Sequence, residues 1–420
     1  MSKQSATGNV RVDGARILAR LAALADIAPL PPTGSCRLAL TDADKAGRDM
    51  LAGWFVDVGM TLHVDQVGNM FGVLEGNDTG LAPIMCGSHI DTVATGGRYD
   101  GAYGVVAALE VCERLKETGI KPRRSIVVAA FTNEEGARFQ PDMLGSLVYA
   151  GGMTVEAARD TRAIDGANFG EELARIGYDG QMIPGSIRPA AYVELHIEQG
   201  PVLDVEGVRI GAVENLQGIS WQEITLEGQS NHAGTTPISM RRDAGVVLGE
   251  VIVFLRALAN DIGHGQVSTV GRIEVSPNLI NVVPARVVFT VDLRNPDEMK
   301  LREAESRLAA FLDETAKRHD VAVSSRRLAR FEPVIFDDHI VKLIEAGADS
   351  AGLSCRRMTS GAGHDAQMLA RVCPTAMIFV PSQSGLSHNP NEHTEPADLE
   401  AGANVLMATL LQLANEGAST

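Results

Sequence analysis

The sequence predicts an α/β protein built on a mostly parallel sheet, with a smaller ferredoxin-like α+β domain inserted into it. Three observations carry this. Short apolar runs of the kind buried in parallel sheets, Ala82–Cys86, Ile126–Thr132, Ala190–Leu195 and Pro374–Val380, alternate with stretches of helical periodicity. After Gly211 the pattern changes to strand, helix, two strands, helix, strand, the order of a split βαβ unit. Each of the four runs leads into His, Asp or Glu, and open α/β sheets gather their active groups at that carboxyl edge.

In chain order, residues 14–27 have apolar spacing near 3.6 and are ended by Pro29, Pro31 and Pro32. Thr41-Asp42-Ala43-Asp44 caps a second helix that runs to about Gly59, with Leu51, Trp54, Phe55 and Val58 on its core face. Strands are expected at Thr61–Asp65 and Met70–Leu74, joined by the turn Gln66-Val67-Gly68-Asn69. A helix follows from Gly101 to about Lys116, stopped by Gly119 and Pro122. The segment Gly151–Gly185 reads as partly helical. The inserted domain is expected over 214–331, with strands Ser220–Leu226, Val267–Val275, Val287–Leu293 and Val321–Leu328 and helices Arg241–Ala259 and Pro296–Arg318. The larger domain then comprises 1–213 and 332–420, and the interruption predicts a substrate cleft.

Bulk properties narrow the function. Hydrophobic residues at 45% and charged ones at 21% are ordinary for a globular protein, and 420 residues suit two domains. A net charge of -16 argues against nucleic acid, because phosphate binding needs a surplus of Lys and Arg. The polar start MSKQSATGNVRVDG and the lack of any run of about twenty apolar residues predict no membrane partner and a cytoplasmic location. The five cysteines are odd in number and never spaced as CxxC, which fits reduced thiols.

The stretch Gly87–Asp100, GSHIDTVATGGRYD, reads as half of a metal site. On an extended backbone His89 and Asp91 point the same way, so the Asp91 carboxylate is expected to accept the spare N–H of His89 and fix its tautomer. Asp100 closes a glycine-rich loop, where its two oxygens could bridge two cations; an N-capping Asp is the plainer alternative. Glu134 and Glu135 are neighbours facing different directions, so one can bind metal while the other carries protons. His196, His388 and His393 arrive at the ends of the third and fourth runs.

Seven motifs in register, GSHIDTVATGGRYDG, FTNEEGARF, ELHIEQGPVLD, SNHAGTTP, NVVPARVVFTVDLR, SGAGHDAQ and GLSHNPNE, resemble the M20 metallopeptidase superfamily. Within it the chain resembles the hydantoinase/carbamoylase branch: N-carbamoyl-L-amino-acid hydrolases, one type of β-ureidopropionase, and allantoate amidohydrolases. The resemblance implies a two-metal site bridged by Asp100, with His89 and His196 on one ion, Glu135 and His388 on the other, Glu134 as general base and Asp91 behind the ligands. His393 is an extra imidazole five positions after His388, and spacing alone leaves it as the alternative ligand. Mixed His and carboxylate ligation suits zinc, manganese, cobalt or nickel.

For substrate, the resemblance implies Arg294 and Asn281 at a carboxylate, Gln199 at a ureido group, the backbone amide of Gly361 as a further donor, and His232 as the oxyanion donor, reached across the domain interface and often from a partner subunit. Arg294 ends a strand, where a structural ion pair is the alternative role. His364 reads as a loop residue or a support for the ligands. The expected activity is hydrolysis of N-carbamoyl-L-amino acids or N-carbamoyl-β-alanine, by a homodimer in keeping with exposed helices or an edge strand in the insertion. Allantoate is the runner-up substrate, disfavoured because Trp221 and Gln222 stand where an additional Arg would favour it. A catalytically silent metal-binding relative is the alternative of another class; retention of both Glu134 and Glu135 argues against it.

Overall fold

The structure, a computed structural model, describes residues 10–163 and 165–417. The first nine residues of the polar start lie outside the described residues. The chain divides into two compact units, one formed by the chain up to Glu214 and again from Phe336, the other Asn215–Ile335.

In the larger unit four parallel strands form the centre of the sheet, in the order Thr375–Val380, Ala191–Ile197, Ile84–His89, Ile126–Phe131. All four are buried along their whole length, so their apolar runs are continuous rather than alternating. Antiparallel strands flank this centre: Ile210–Leu216, with Cys355–Ser360 paired to it, beside Thr375–Val380 on one side, and Met70–Leu74 and Thr61–Val64 beyond Ile126–Phe131 on the other. The sheet is therefore parallel in the middle and antiparallel at its margins. The strands Thr61–Val64 and Met70–Leu74 are consecutive and joined by a turn at 65–69 too short for a helical crossover, so they pair antiparallel.

The helix Ala102–Glu117 packs on the Ile84–His89 strand and is covered in turn by the helices Gly14–Ala25 and Pro396–Asn415. Being enclosed on most sides, it is apolar nearly all round, from Ala102 to Leu115. Its one fully buried charge, Glu110, is matched by Arg16, whose Nε lies 2.5 Å away. The helix Asp42–Val58 begins at Thr41, whose hydroxyl accepts the Asp44 amide, and ends at Gly59 in the left-handed region. Within 151–185 two short helices form, Val155–Arg159 and Phe169–Ile176.

The smaller unit is an antiparallel sheet in the order Val267–Ser276, Arg286–Asn295, Gly218–Glu227, Ala322–Phe331. With the helices Ala244–Ile262 and Glu298–Arg318 this is the ferredoxin-like arrangement. One sheet face supplies Ile224, Leu226, Val287, Phe289, Val291 and Leu293 to a core shared with Val247, Val251 and Leu308 of the helices. The other face carries Trp221, Glu223, Asp292 and Arg294. Among the described residues no helix is long and apolar enough to cross a membrane.

Candidate metal centre

The carboxyl ends of the four parallel strands deliver the site. His89 is the last residue of its strand and 1% exposed. Its Nδ1 lies 2.9 Å from the backbone carbonyl of Asp91, so Nδ1 carries the proton and Nε2 is left as a metal donor. This corrects the expected contact with the Asp91 carboxylate, which is 3.9 Å from that nitrogen. The chain beyond the strand brings residue 91's own carbonyl to that nitrogen. The carboxylate is used elsewhere, accepting the amides of Glu134 at 3.2 Å and Glu135 at 3.4 Å. Asp91 thereby orients both glutamates.

Those glutamates leave the Ile126–Phe131 strand through Asn133, which is held at φ +57°. Asn tolerates this left-handed conformation better than most residues, and its side-chain amide donates to the carbonyl of Phe139. His196 Nδ1 lies 2.8 Å from the carbonyl of Ile197, which turns Nε2 toward the site, 3.1 Å from the Gly101 amide.

Asp100 is the meeting point. Its Oδ1 lies 3.2 Å from His196 Nε2 and 3.7 Å from His89 Nε2. Its Oδ2 lies 3.4 Å from His388 Nε2, which is 3.2 Å from Glu135 Oε2. Among the described residues three groups of donors could hold a cation: His89–Asp100–His196 and Asp100–Glu135–His388, which share Asp100, and Glu194–His196–His364, which shares His196 with the first. Gly101 makes the first possible: it sits at φ +62°, and a Cβ there would fall 2.3 Å from the His89 ring. Glu134 belongs to none of these groups and stands 3.4 Å from His89 Nε2.

The electrostatics are those of a place built for positive charge. Burial pushes His89 down to about 4, and burial followed by its acidic neighbours lifts Glu134 well above the usual carboxylate range. Burial also opposes the charge on Asp100, but hydrogen bonds from His196 and His388 outweigh it and hold Asp100 well below its ordinary value. Hydrogen bonds to Asp100 and Glu135 push His388 up to about 11. Glu135 Oε1 is buried with no hydrogen-bond partner, as befits an oxygen awaiting a cation. Imidazole nitrogens with carboxylate oxygens fit zinc, manganese, cobalt or nickel.

Several expected residues are placed differently or more narrowly than the sequence suggested. His388, held at φ +52°, faces Asp100, whereas His393 pairs with Glu395 at 3.5 Å. Gln199 donates from Nε2 to Asp100 Oδ2 at 2.8 Å. His364 is buried with its ring 4.6 Å from that of His196, and its Nε2 meets the Ser360 hydroxyl. Glu194, Ser387 and Glu392 escaped the sequence reading. Glu194 accepts from Ser88 Oγ at 2.6 Å and the Ala366 amide at 2.8 Å beneath His196. The one sequence signal for Glu392 was an acid four residues after a ligand histidine. Gly361 is exposed in the loop after the Cys355–Ser360 strand.

In the smaller unit His232 Nδ1 accepts the amides of Gly234 and Thr235, which leaves the proton on Nε2 as a donor. Asn281 lies alongside, its carbonyl accepting the Ala233 amide at 2.9 Å. Arg294 meets the Asp292 carboxylate with Nε and Nη2, at 3.0 and 2.9 Å, and its guanidinium lies 6.0 Å from the centre of the Trp221 ring.

The description "Peptidase family M20/M25/M40" matches residues 85–412. The chain belongs to peptidase family M20. An N-carbamoyl-L-amino-acid amidohydrolase of Rhizobium meliloti is 41% identical over 406 residues, covering 97% of this chain and 98% of its own length. An allantoate amidohydrolase of Bacillus subtilis is 36% identical, covering 85% of this chain and 87% of its own. A crystal structure of a hydantoinase/carbamoylase family amidase from Burkholderia multivorans superposes with a TM-score of 0.95 at 43% identity, covering 97% of this chain and all 100% of that one. The M20 chain thus falls within the hydantoinase/carbamoylase branch.

Proposed function

We propose that this M20 chain is an amidohydrolase that uses two divalent ions to cleave the carbamoyl C–N bond of N-carbamoyl-L-amino acids or N-carbamoyl-β-alanine, releasing amino acid, ammonia and carbon dioxide. The observation that carries the reading is the division of Asp100: one oxygen turned to His89 and His196, the other to His388, with Glu135 on that side and Glu134 on neither. A relative named as an N-carbamoyl-L-amino-acid amidohydrolase, matched end to end, supports the substrate class.

His89, His196, Asp100, Glu135 and His388 would hold the ions, which when bound polarise a carbonyl and lower the pKa of water from about 15.7 toward 7. Glu134 takes the proton of the attacking water and returns it to the leaving nitrogen. The water oxygen bonds to the carbamoyl carbon as the bond from that carbon to the amino-acid nitrogen breaks. The carbamate left behind decomposes to ammonia and carbon dioxide. Asp91 keeps Glu134 aimed by accepting its amide. His232, protonated on Nε2, is a donor for the oxyanion. Arg294 and Asn281 take the substrate carboxylate, Gln199 the ureido group, and the amide of Gly361 serves as a further donor.

Ammonia release from N-carbamoyl-α-amino acids, N-carbamoyl-β-alanine and allantoate, before and after chelation and metal return, tests the proposal. Turnover of the carbamoyl substrates that vanishes on chelation and returns with metal is expected. Undiminished turnover in the stripped protein, or allantoate as the sole substrate, would reject it.

A further inference from the structure

Glu392 has no part in the mechanism above, yet it is 1% exposed at the heart of the centre. It stands on the loop that follows the Thr375–Val380 strand, four residues after His388. One oxygen, Oε1, accepts the backbone amides of Tyr99 at 3.0 Å and of Asp100 itself at 3.2 Å. The other, Oε2, is 3.2 Å from the hydroxyl of Ser387, which is also 3.1 Å from Asp100 Oδ2. Gly97 makes room for this approach, since a Cβ there would lie 2.1 Å from the Glu392 carboxyl.

The arrangement answers a mechanical difficulty. Asp100 lies in the loop before a helix, and rotation of a carboxylate about its last torsion is soft. A bridging carboxylate must nevertheless present its two oxygens in two fixed directions. Glu392 grips residue 100 by its own amide, and Ser387, whose single hydroxyl proton either carboxylate can accept, stands between the two side chains. The same short loop brings His388 to the other side of the same oxygen. Burying one carboxylate this close to another is unfavourable unless something requires it.

We infer that Glu392 is a positioning residue for the bridging carboxylate, acting with Ser387 to set the affinity of the centre for divalent ions. This rests on the two-metal reading. The test is manganese binding, by bound-ion content after dialysis against graded chelator, in the full-length chain and in Glu392→Ala, Glu392→Gln and Ser387→Ala, alongside metal-free melting temperatures. Loss of ligand-supporting residues typically weakens metal binding 10- to 100-fold, and Glu392→Ala is expected in that range. Glu392→Gln, whose amide oxygen can still accept both backbone amides, should recover most of the affinity. Ser387→Ala, which removes one hydroxyl and leaves the fold alone, should lose about tenfold, at the lower edge of such effects. The metal-free melting temperatures should not follow this order. If the parent chain takes up no divalent ion, the two-metal reading falls and this role with it. If the parent loads and Glu392→Ala matches its chelator curve, or if Gln fails as badly as Ala, the positioning role alone falls.

Discussion

Glu134→Gln separates proton transfer from metal binding. The amide has nearly the same shape as the carboxyl, and Glu134 lies outside the donor groups, so the ions should stay. The fold should stay too. Burial is the main reason its pKa is raised, followed by the acidic Asp365, Glu135, Asp100 and Asp91, so a neutral residue removes repulsion while its amide can still meet His89 Nε2. What is lost is a group used twice, once on the attacking water and once on the leaving nitrogen. General acid–base catalysis contributes about 10²- to 10⁴-fold, and double use points to the upper half of that span. At about 1.36 kcal/mol per tenfold, a loss of about 10³- to 10⁴-fold in kcat raises the barrier by about 4–5 kcal/mol. Ammonia release under saturating substrate, with bound metal and melting temperature measured on the same preparation, provides the check. A variant with full metal and kcat within tenfold of the parent would remove Glu134 from proton transfer.

Further outcomes follow from single contacts. Gly101→Ala puts a Cβ 2.3 Å from the His89 ring at a φ of +62°; a left-handed alanine costs about 1–2 kcal/mol, and metal titration should show weakened binding beyond that loss in melting stability. His388→Ala should abolish activity and lower bound metal, whereas His393→Ala, whose ring meets Glu395 and the edge of Tyr99, should stay within about twofold; equal losses would contradict the assignment. Without metal, His196 is raised to about 9, where Asp100 overcomes the effect of burial, and His388 to about 11, so both carry protons at neutral pH that metal must displace. Metal affinity should therefore rise from pH 7 to 9, with protons released on binding, as calorimetry in buffers of different ionisation enthalpy can measure; a flat profile would contradict it. Arg294→Lys should raise KM for carboxylate substrates by about tenfold or more with bound metal unchanged, because an ammonium cannot replace a two-point guanidinium contact.

Much of this was legible in the chain itself. The runs Ile84–Cys86 and Ile126–Phe131 are apolar throughout because both faces of a parallel strand are covered, and that is a local property of the sequence. Residues that follow such strands lie at one sheet edge, so His89, Glu134, His196 and His388 could be grouped before any contact was known. The ferredoxin-like order of the insertion was likewise readable, although the compact unit closes at Ile335, four residues past the expected end. The antiparallel margins of the main sheet were less visible, since a buried strand looks much the same whichever way its neighbour runs.

The sequence by itself determined which imidazoles and carboxylates the strand ends would carry to one sheet edge, because strand periodicity is written locally. Only the tertiary structure decided which atom meets which. A backbone carbonyl, not the Asp91 side chain, orients His89. Asp91 instead holds the two glutamate amides, and Glu392, nearly three hundred residues along the chain, fixes the amide of Asp100. Such contacts depend on the exact path of turns and on glycines that clear a few ångströms for a ring or a carboxyl, and no spacing in a linear chain encodes that path.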